Sequence, residues 1–81
     1  MKVRSITTKE FNNVMDMCRR NLKIRSVTPT IHPGTGIVYE IIIHTHEESK
    51  KFSVVNNDNP EYSLYEDVVN YIESLYLMNY N

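Results

Sequence analysis

Two histidines, His44 and His46, stand two residues apart at the end of the apolar run IVYEIIIHTH. Alternate residues of a strand point to the same face of a sheet, so the pair could share a metal ion. A protein-bound zinc, however, takes three or four protein ligands. The remaining histidine, His32, lies at the far end of the predicted hairpin, and Lys51 is the predicted cross-strand neighbour of His46. We therefore expect solvated strand-end histidines here and no metal site.

Other patterns that indicate catalysis are missing from the chain. The two glycines, Gly34 and Gly36, fall in one turn, so no glycine-rich phosphate loop is predicted. The acid pairs Glu47–Glu48 and Glu66–Asp67 fall in a turn and a helix cap, where neither acid is forced into an unusual environment. We expect a protein that is not an enzyme and that requires no cofactor.

Length and composition indicate one small domain. The 81 residues are 41% hydrophobic and 23% charged, which is ordinary for a soluble protein, and we predict a single domain over residues 1–81. No apolar stretch reaches the roughly 18 residues of a membrane span, and the N-terminus lacks an apolar signal segment. One cysteine, Cys18, excludes an internal disulfide, and its place in a helical pattern indicates a buried thiol. These features favour a cytoplasmic location.

The segment SITTKEFNNVMDMCRRNL predicts a helix that begins after Thr7 and ends near Arg20. Thr7 and Glu10 have the spacing of a capping box, and Ile6 and Phe11 have that of a hydrophobic staple. The apolar face recurs at helical spacing and consists of Phe11, Val14, Met15, Cys18 and Leu22.

The last segment, SLYEDVVNYIESLYLMNYN, predicts a second helix over residues 63–81. Ser63 and Glu66 have the spacing of another capping box, and the acids Glu66 and Asp67 suit the positive end of the helix dipole. Its predicted inner stripe is Leu64, Val68, Tyr71, Ile72, Leu75 and Met78, widened by Tyr65, Val69 and Tyr76.

Three strands are predicted between the helices. LKIRSVTPTI begins with the alternation of a half-buried strand, but Pro29 indicates a sheet edge or a bulge. HPGTG is a turn, IVYEIIIHTH is the central strand, and KFSVVNN follows the polar turn EESK as the third. One sheet face is richly apolar: Leu22, Ile24, Ile41, Ile43, Phe52 and Val54. The sequence therefore predicts an α+β fold, a two-layer α-β-β-β-α domain with both helices packed on one face of a three-stranded antiparallel sheet.

The opposite sheet face is predicted to be solvated, with a register slip near Pro29. With tight hairpins it carries Lys23, Arg25, Val38, Glu40, Ile42, His44, His46, Lys51, Ser53 and Val55. Val38, Ile42 and Val55 would form an apolar strip there. Such a strip indicates a partner or homodimer contact, unless Met1–Val3 cover it.

Charge is divided unevenly along the chain. The formal net charge is −1, but residues 1–25 hold seven basic and two acidic residues, whereas residues 26–81 hold two basic and eight acidic ones. This division predicts either a positive and a negative surface that attract different partners, or opposite charges that pair with each other within the fold.

The C-terminal segment is the first candidate for a binding surface. Its tyrosines can make large amphipathic contacts, and its acids can imitate phosphates to a basic protein groove. The predicted partner-binding residues are Asp58, Glu61, Tyr62, Tyr65, Glu66, Asp67, Glu73 and Tyr76, with Tyr71 and Tyr80 nearby. The alternative is that the tyrosines serve the core and the acids are ordinary solvated surface.

In size and in its helix-plus-three-strand plan, the chain resembles small phage anti-CRISPR proteins. The resemblance implies an inhibitor from a phage or mobile element that binds another protein. We therefore predict a non-enzymatic protein-binding module. Changing Glu66 and Asp67 together to lysine is expected to abolish partner binding and to leave the fold intact.

A nucleic-acid interface is the alternative function. Its predicted residues are Arg19, Arg20, Lys23 and Arg25, in the segment RRNLKIR. The α-β-β-β-α order and the HPGTG turn resemble the double-stranded-RNA-binding domain over nearly the whole chain. In that family a lysine cluster at the start of the second helix holds phosphates, but here NPEYSLYED places Glu61, Glu66 and Asp67 there. The resemblance is one of topology and implies no binding residues. The other interpretation of RRNLKIR is a helix C-terminus followed by a solvated strand.

Overall fold

The computed structural model describes residues 4–55 and 57–77, and its elements follow the predicted order. They are α1 (Thr8–Arg19), β1 (Ile24–Ile31), β2 (Val38–Thr45), β3 (Ser49–Ser53) and α2 (Leu64–Leu77). The strands form one antiparallel sheet in the order β1-β2-β3, so β1 with Pro29 is an edge strand, as predicted. The α+β fold class is confirmed. Of the helices in the described residues, neither has the length and apolar composition needed to cross a membrane.

α1 begins at a complete capping box, which confirms the prediction. Thr7 Oγ1 accepts a hydrogen bond from Glu10 N at 3.1 Å, and Glu10 Oε1 accepts one from Thr7 N at 3.0 Å. Ile6 is fully buried, and Phe11 packs against the core. The helix ends at Arg19 with Arg20 as its C-cap.

α2 begins with one half of the predicted capping box, in which Ser63 Oγ accepts from Glu66 N at 3.2 Å. Leu64 N donates to the Arg4 carbonyl at 2.9 Å, so the segment before α1 also supports this helix start. The inner stripe is confirmed for Leu64, Val68, Ile72 and Leu75, which are buried, and for Tyr71, which packs against the core. Met78 lies outside the described residues.

The core lies between the two helices and one face of the sheet. Its buried members are Ile6, Val14, Cys18, Val38, Ile41, Ile43, Phe52, Leu64, Val68, Ile72 and Leu75. The helices run in the same direction, because Asn13 of α1 contacts Tyr65 near the start of α2, and Asn21, just beyond the end of α1, contacts Ile72 further along α2. Thr8 Oγ1 donates to the Gly36 carbonyl at 3.3 Å and joins the β1–β2 turn to the start of α1.

These contacts define two ends of the molecule. The cap end holds both helix N-termini and residues 32–37, and the far end holds residues 20–24 and the β2–β3 turn at residues 45–48.

A bulge on β2 changes the predicted faces of the sheet. Thr30 pairs with Glu40 and Ile31 pairs with Val38, so Tyr39 is an extra residue on β2. The extra residue reverses the alternation and turns Val38 into the core, where it is fully buried. The prediction that Val38 lies on the solvated face was wrong, and the predicted apolar strip loses its first member.

A second bulge lies at Arg25, which has no strand partner at the start of β1. β1 begins at Ile24, later than the alternation predicted, and Leu22 lies in the preceding turn with 91% of its surface exposed. The prediction that Leu22 joins the apolar sheet face was wrong. The register is regular around Pro29, where a slip was expected, and breaks at the two bulges instead.

The β2–β3 turn is tighter than predicted. Thr45 N donates to the Glu48 carbonyl at 2.8 Å, and Thr45 Oγ1 accepts from Glu48 N at 3.1 Å. β3 therefore starts at Ser49, and Lys51 pairs with Ile42 on the open face. The prediction that Lys51 is the neighbour of His46 was wrong.

Candidate protein-binding surface

The loop before α2 and the exposed side of α2 carry the predicted acids. We call Asp58, Glu61, Glu66, Asp67 and Glu73 the acidic surface; all five are exposed. The first four lie at the cap end. Glu66 and Glu73 stand seven positions apart on one row of α2, which separates them by about 10.5 Å along the helix axis.

Within residues 4–55 and 57–77, Asp58, Glu66 and Glu73 make no ion pair, whereas the acids Asp16 and Glu40 do. α2 itself contains no lysine or arginine. These carboxylates are therefore not neutralised by the described part of the fold, and they present a negative field to solvent.

The tyrosines predicted for this surface are half-buried and pack against the core. Tyr62 Oη donates to Asp67 Oδ2 at 3.0 Å, and Tyr65 Oη accepts from Asn13 Nδ2 at 2.6 Å. Tyr76 packs against the core from the second half of α2, and Tyr80 lies outside the described residues. The described tyrosines thus hold α2 against the core, and the carboxylates of the acidic surface are more exposed than these tyrosines.

The Tyr62 hydroxyl keeps Asp67 oriented over a wide pH range. Burial, reinforced by the hydrogen bond and the charge of Asp67, raises the pKa of Tyr62 to about 12. The phenol therefore remains protonated, and able to donate, at neutral pH.

Arg4 is a residue of this region that no motif in the sequence indicated. Its Nη2 donates to the Asn57 carbonyl, and its own carbonyl accepts from Leu64 N. Its Nε is buried and has no hydrogen-bond partner among the described residues. Because Arg4 bonds to residues on both sides of the loop, it fixes the position of the segment that carries Asp58 and Glu61.

The predicted basic residues all lie near the far end, but carboxylates interrupt them. Arg19 and Arg20 both face Asp16, at 3.4 and 4.0 Å. Lys23 lines a small depression together with Glu47 and Glu48 of the β2–β3 turn. The fold therefore does not form one continuous cationic surface from these residues.

The structure separates the two histidines that the sequence places near each other. His44 lies on the open sheet face, with Nε2 2.9 Å from Thr28 Oγ1 and Nδ1 2.7 Å from Ser49 Oγ. His46 follows the end of β2 and lines the depression that holds Lys23. In the described part of the chain, no group of three or more histidine, cysteine, aspartate or glutamate side chains is placed to hold a metal ion.

The open sheet face is largely polar. Glu40 accepts from Lys51 at 3.4 Å and from Thr30 at 3.5 Å, and these contacts flank a half-buried Ile42. Val55 is 51% exposed at the edge of this region. The homodimer contact predicted for this face stays a prediction. The exposed apolar surface that could support it is smaller than predicted, because Val38 is buried in the core.

Comparison of the chain with protein-family models, with curated proteins and with solved structures finds no match.

Proposed function

We propose that this chain is a non-enzymatic protein-binding module whose acidic surface contacts a basic surface of another protein. The observation that carries the proposal is the row formed by Glu66 and Glu73, which is exposed, unpaired within the described residues and set on a rigid helix. A row on a helix holds its charges at fixed spacing, so little conformational entropy is lost on binding.

The spacing of the carboxylates favours a macromolecular partner over a metal ion. Oxygen ligands of one cation must all lie within about 2.6 Å of it, whereas Glu66 and Glu73 are about 10.5 Å apart along the axis. Lysine and arginine side chains distributed along a groove match such a row. If the groove normally binds nucleic acid, the module would compete for it and act as an inhibitor. Such an inhibitor would be consistent with an origin in a phage or mobile element.

The proposal is tested by charge reversal of the row. Glu66→Lys/Glu73→Lys leaves Asp67 and its hydrogen bond to Tyr62 intact. Glu47→Lys/Glu48→Lys changes the same number of charges at the far end and is the matched control. Circular dichroism establishes that both variants fold.

The readout is an NMR titration of the labelled amides with an arginine-rich helical peptide at 50 and 200 mM salt. We expect shifts over residues 58–73 that weaken with salt, binding about tenfold weaker in the Glu66/Glu73 variant, and no change in the control. Shifts centred on the far end, or equal losses in both variants, would contradict the proposal.

Nucleic-acid binding is tested separately by fluorescence anisotropy of labelled duplex RNA, duplex DNA and single strands. Because Asp16, Glu47 and Glu48 lie among the basic residues, we expect no binding at 50 mM salt. Micromolar binding that falls steeply between 50 and 200 mM salt would instead assign the function to Arg19, Arg20, Lys23 and Arg25.

A further inference from the structure

The turn between α1 and β1 holds an exposed leucine in a fixed position. Leu22 is 91% exposed, whereas its neighbour Asn21 is 2% exposed. Asn21 N donates to the Cys18 carbonyl at 3.1 Å, its Oδ1 accepts from Lys23 N at 3.0 Å, and its Nδ2 donates to the Ile72 carbonyl at 3.4 Å. The turn is thus bonded to both helices, and it presents Leu22 to solvent on a rigid support.

A depression of about 250 Å³ lies beside this leucine. It is lined by Met15, Cys18, Arg19, Asn21, Leu22, Ile24, Arg25, Ser26 and Val27. Five of these side chains are apolar and two are cations, and none of the described carboxylates lines it. The depression therefore combines apolar side chains with positive charge.

Both cations are available to a ligand. Arg25 is exposed at the β1 bulge and makes no ion pair within the residues that the structure describes. Arg19 faces Asp16 at 3.4 Å, but both side chains are largely exposed, and ion pairs between exposed side chains exchange readily with other partners.

We propose that Leu22 and this depression form a second docking surface, one that binds an acidic amphipathic segment of a partner protein. Glutamates or aspartates of the segment pair with Arg19 and Arg25, and one of its apolar side chains enters the depression while Leu22 packs against the next. Arginine is enriched among the residues that dominate binding energy at protein interfaces, and a side chain that is already held in place loses little conformational entropy on binding.

Two other classes of ligand fit the surface less well. Phosphates of a nucleic acid would leave Leu22 uncovered and would approach Asp16. A lipid headgroup region would accept Leu22, but it has no projecting side chain to fill a concave apolar depression. A protein segment can pair with the arginines, pack against Leu22 and place a side chain in the depression at the same time.

This surface lies at the far end, whereas most of the acidic surface lies at the cap end and has the opposite charge. The two surfaces would select different partners and could be occupied at once. The inference therefore goes beyond the proposed function, and either one can fail without the other.

The test is an NMR titration with a defined probe, an acetylated helical peptide of glutamate and alanine with leucines at positions i, i+4 and i+7. We expect amide shifts over residues 15–27 and binding about tenfold weaker for Leu22→Ser, because the apolar contact is lost. Val55→Ser, which removes an exposed apolar side chain outside this surface, is the matched control and should bind as wild type. Arg19→Ala/Arg25→Ala should remove the salt dependence of binding.

Several results would overturn the proposal. They are the absence of shifts over residues 15–27 at about 1 mM peptide, equal binding by wild type and Leu22→Ser, and unchanged binding when the leucines of the peptide are replaced by glutamine. Sedimentation with phosphatidylcholine–phosphatidylserine vesicles without peptide binding would assign Leu22 to a membrane surface instead. Shifts over the same residues with duplex RNA but not with peptide would assign it to nucleic acid.

Discussion

Asn21 connects parts of the chain that are distant in sequence. Its side chain is buried, and it bonds to Lys23 N and to the Ile72 carbonyl, so it ties the end of α1 to the middle of α2. A buried polar group is stabilising when it is fully bonded, and its loss leaves its former partners unsatisfied. Nothing in the local sequence distinguishes this asparagine from an ordinary helix-terminal one, because the Ile72 carbonyl is 51 positions away.

We expect Asn21→Ala to lower the free energy of unfolding by about 2–3 kcal/mol, because a buried side chain loses two hydrogen bonds. Leu22→Ala, at the adjacent position, should change it by less than about 0.5 kcal/mol, because Leu22 is 91% exposed. Urea unfolding followed by circular dichroism measures both. Equal effects of the two substitutions would show that the turn is not held by Asn21.

Cys18 makes the stability of the protein sensitive to alkaline pH. Burial raises the pKa of its thiol from 9.0 to about 11, so the folded chain holds the proton more tightly than the unfolded chain. The contribution is fully present below the pKa of the unfolded thiol, and it is lost as the pH rises through 9 toward 11. The thiol is therefore also a poor nucleophile at neutral pH.

We expect ionisation of the Cys18 thiol to lower the free energy of unfolding by about 1.3 kcal/mol between pH 7.5 and pH 10. Cys18→Ala should be less stable at pH 7.5 but should lose much less on the same pH change, because it has no thiol to ionise. Urea titrations at the two pH values measure the difference. The same pH slope in both proteins would exclude Cys18 as its cause.

At the scale of the elements, the two helix starts differ in how completely they are capped. Thr7 and Glu10 bond reciprocally, whereas at α2 Ser63 accepts from Glu66 N and Leu64 N is bonded by Arg4 instead. Both starts were predicted from the same spacing. The start of α2 also depends on Arg4, which is 60 positions away from Leu64 in the sequence, and residue spacing cannot show such a contact.

We expect Thr7→Ala to cost about 1–2 kcal/mol of unfolding free energy and Ser63→Ala about 0.5–1 kcal/mol, since Ser63 takes part in half of a box. Urea unfolding of the two variants gives the ranking. A larger loss for Ser63→Ala would mean that the α2 start depends on its own cap more than on Arg4.

The order of the strands and part of their burial could be predicted from the sequence, but their bulges could not. Edge placement of β1 followed from Pro29, and the burial of Ile41 and Ile43 followed from alternation. The bulges at Arg25 and Tyr39 were not visible, because one extra residue reverses the alternation without changing the residue types. The wrong faces predicted for Leu22 and Val38 both arose in the segments beside these bulges.

At the scale of the whole molecule, the parallel helices bring both of their N-termini to the cap end. Four of the five acids of the acidic surface therefore lie there, whereas Arg19, Arg20, Lys23 and Arg25 lie near the far end. The sequence predicted this division of charge. It could not predict that the β2–β3 turn returns Glu47 and Glu48 to the basic end, where they line the depression with Lys23.

The division of charge has a consequence for function. Carboxylates interrupt the basic end, whereas no described cation pairs with Asp58, Glu66 or Glu73 of the acidic surface. The local electrostatic field is therefore stronger at the acidic surface than at the basic end, and a positively charged partner would be attracted to the acidic surface. This is the basis of the proposal that the module binds a basic protein.

The most direct test of that proposal is affinity capture from a nuclease-treated lysate of the source organism, quantified by mass spectrometry. Wild type, Glu66→Lys/Glu73→Lys and the control Glu47→Lys/Glu48→Lys are compared at equal loading. We predict that wild type and the control retain the same basic protein and that the Glu66/Glu73 variant loses it. Retention of that protein by the Glu66/Glu73 variant, or its loss from the Glu47/Glu48 control, would contradict the account.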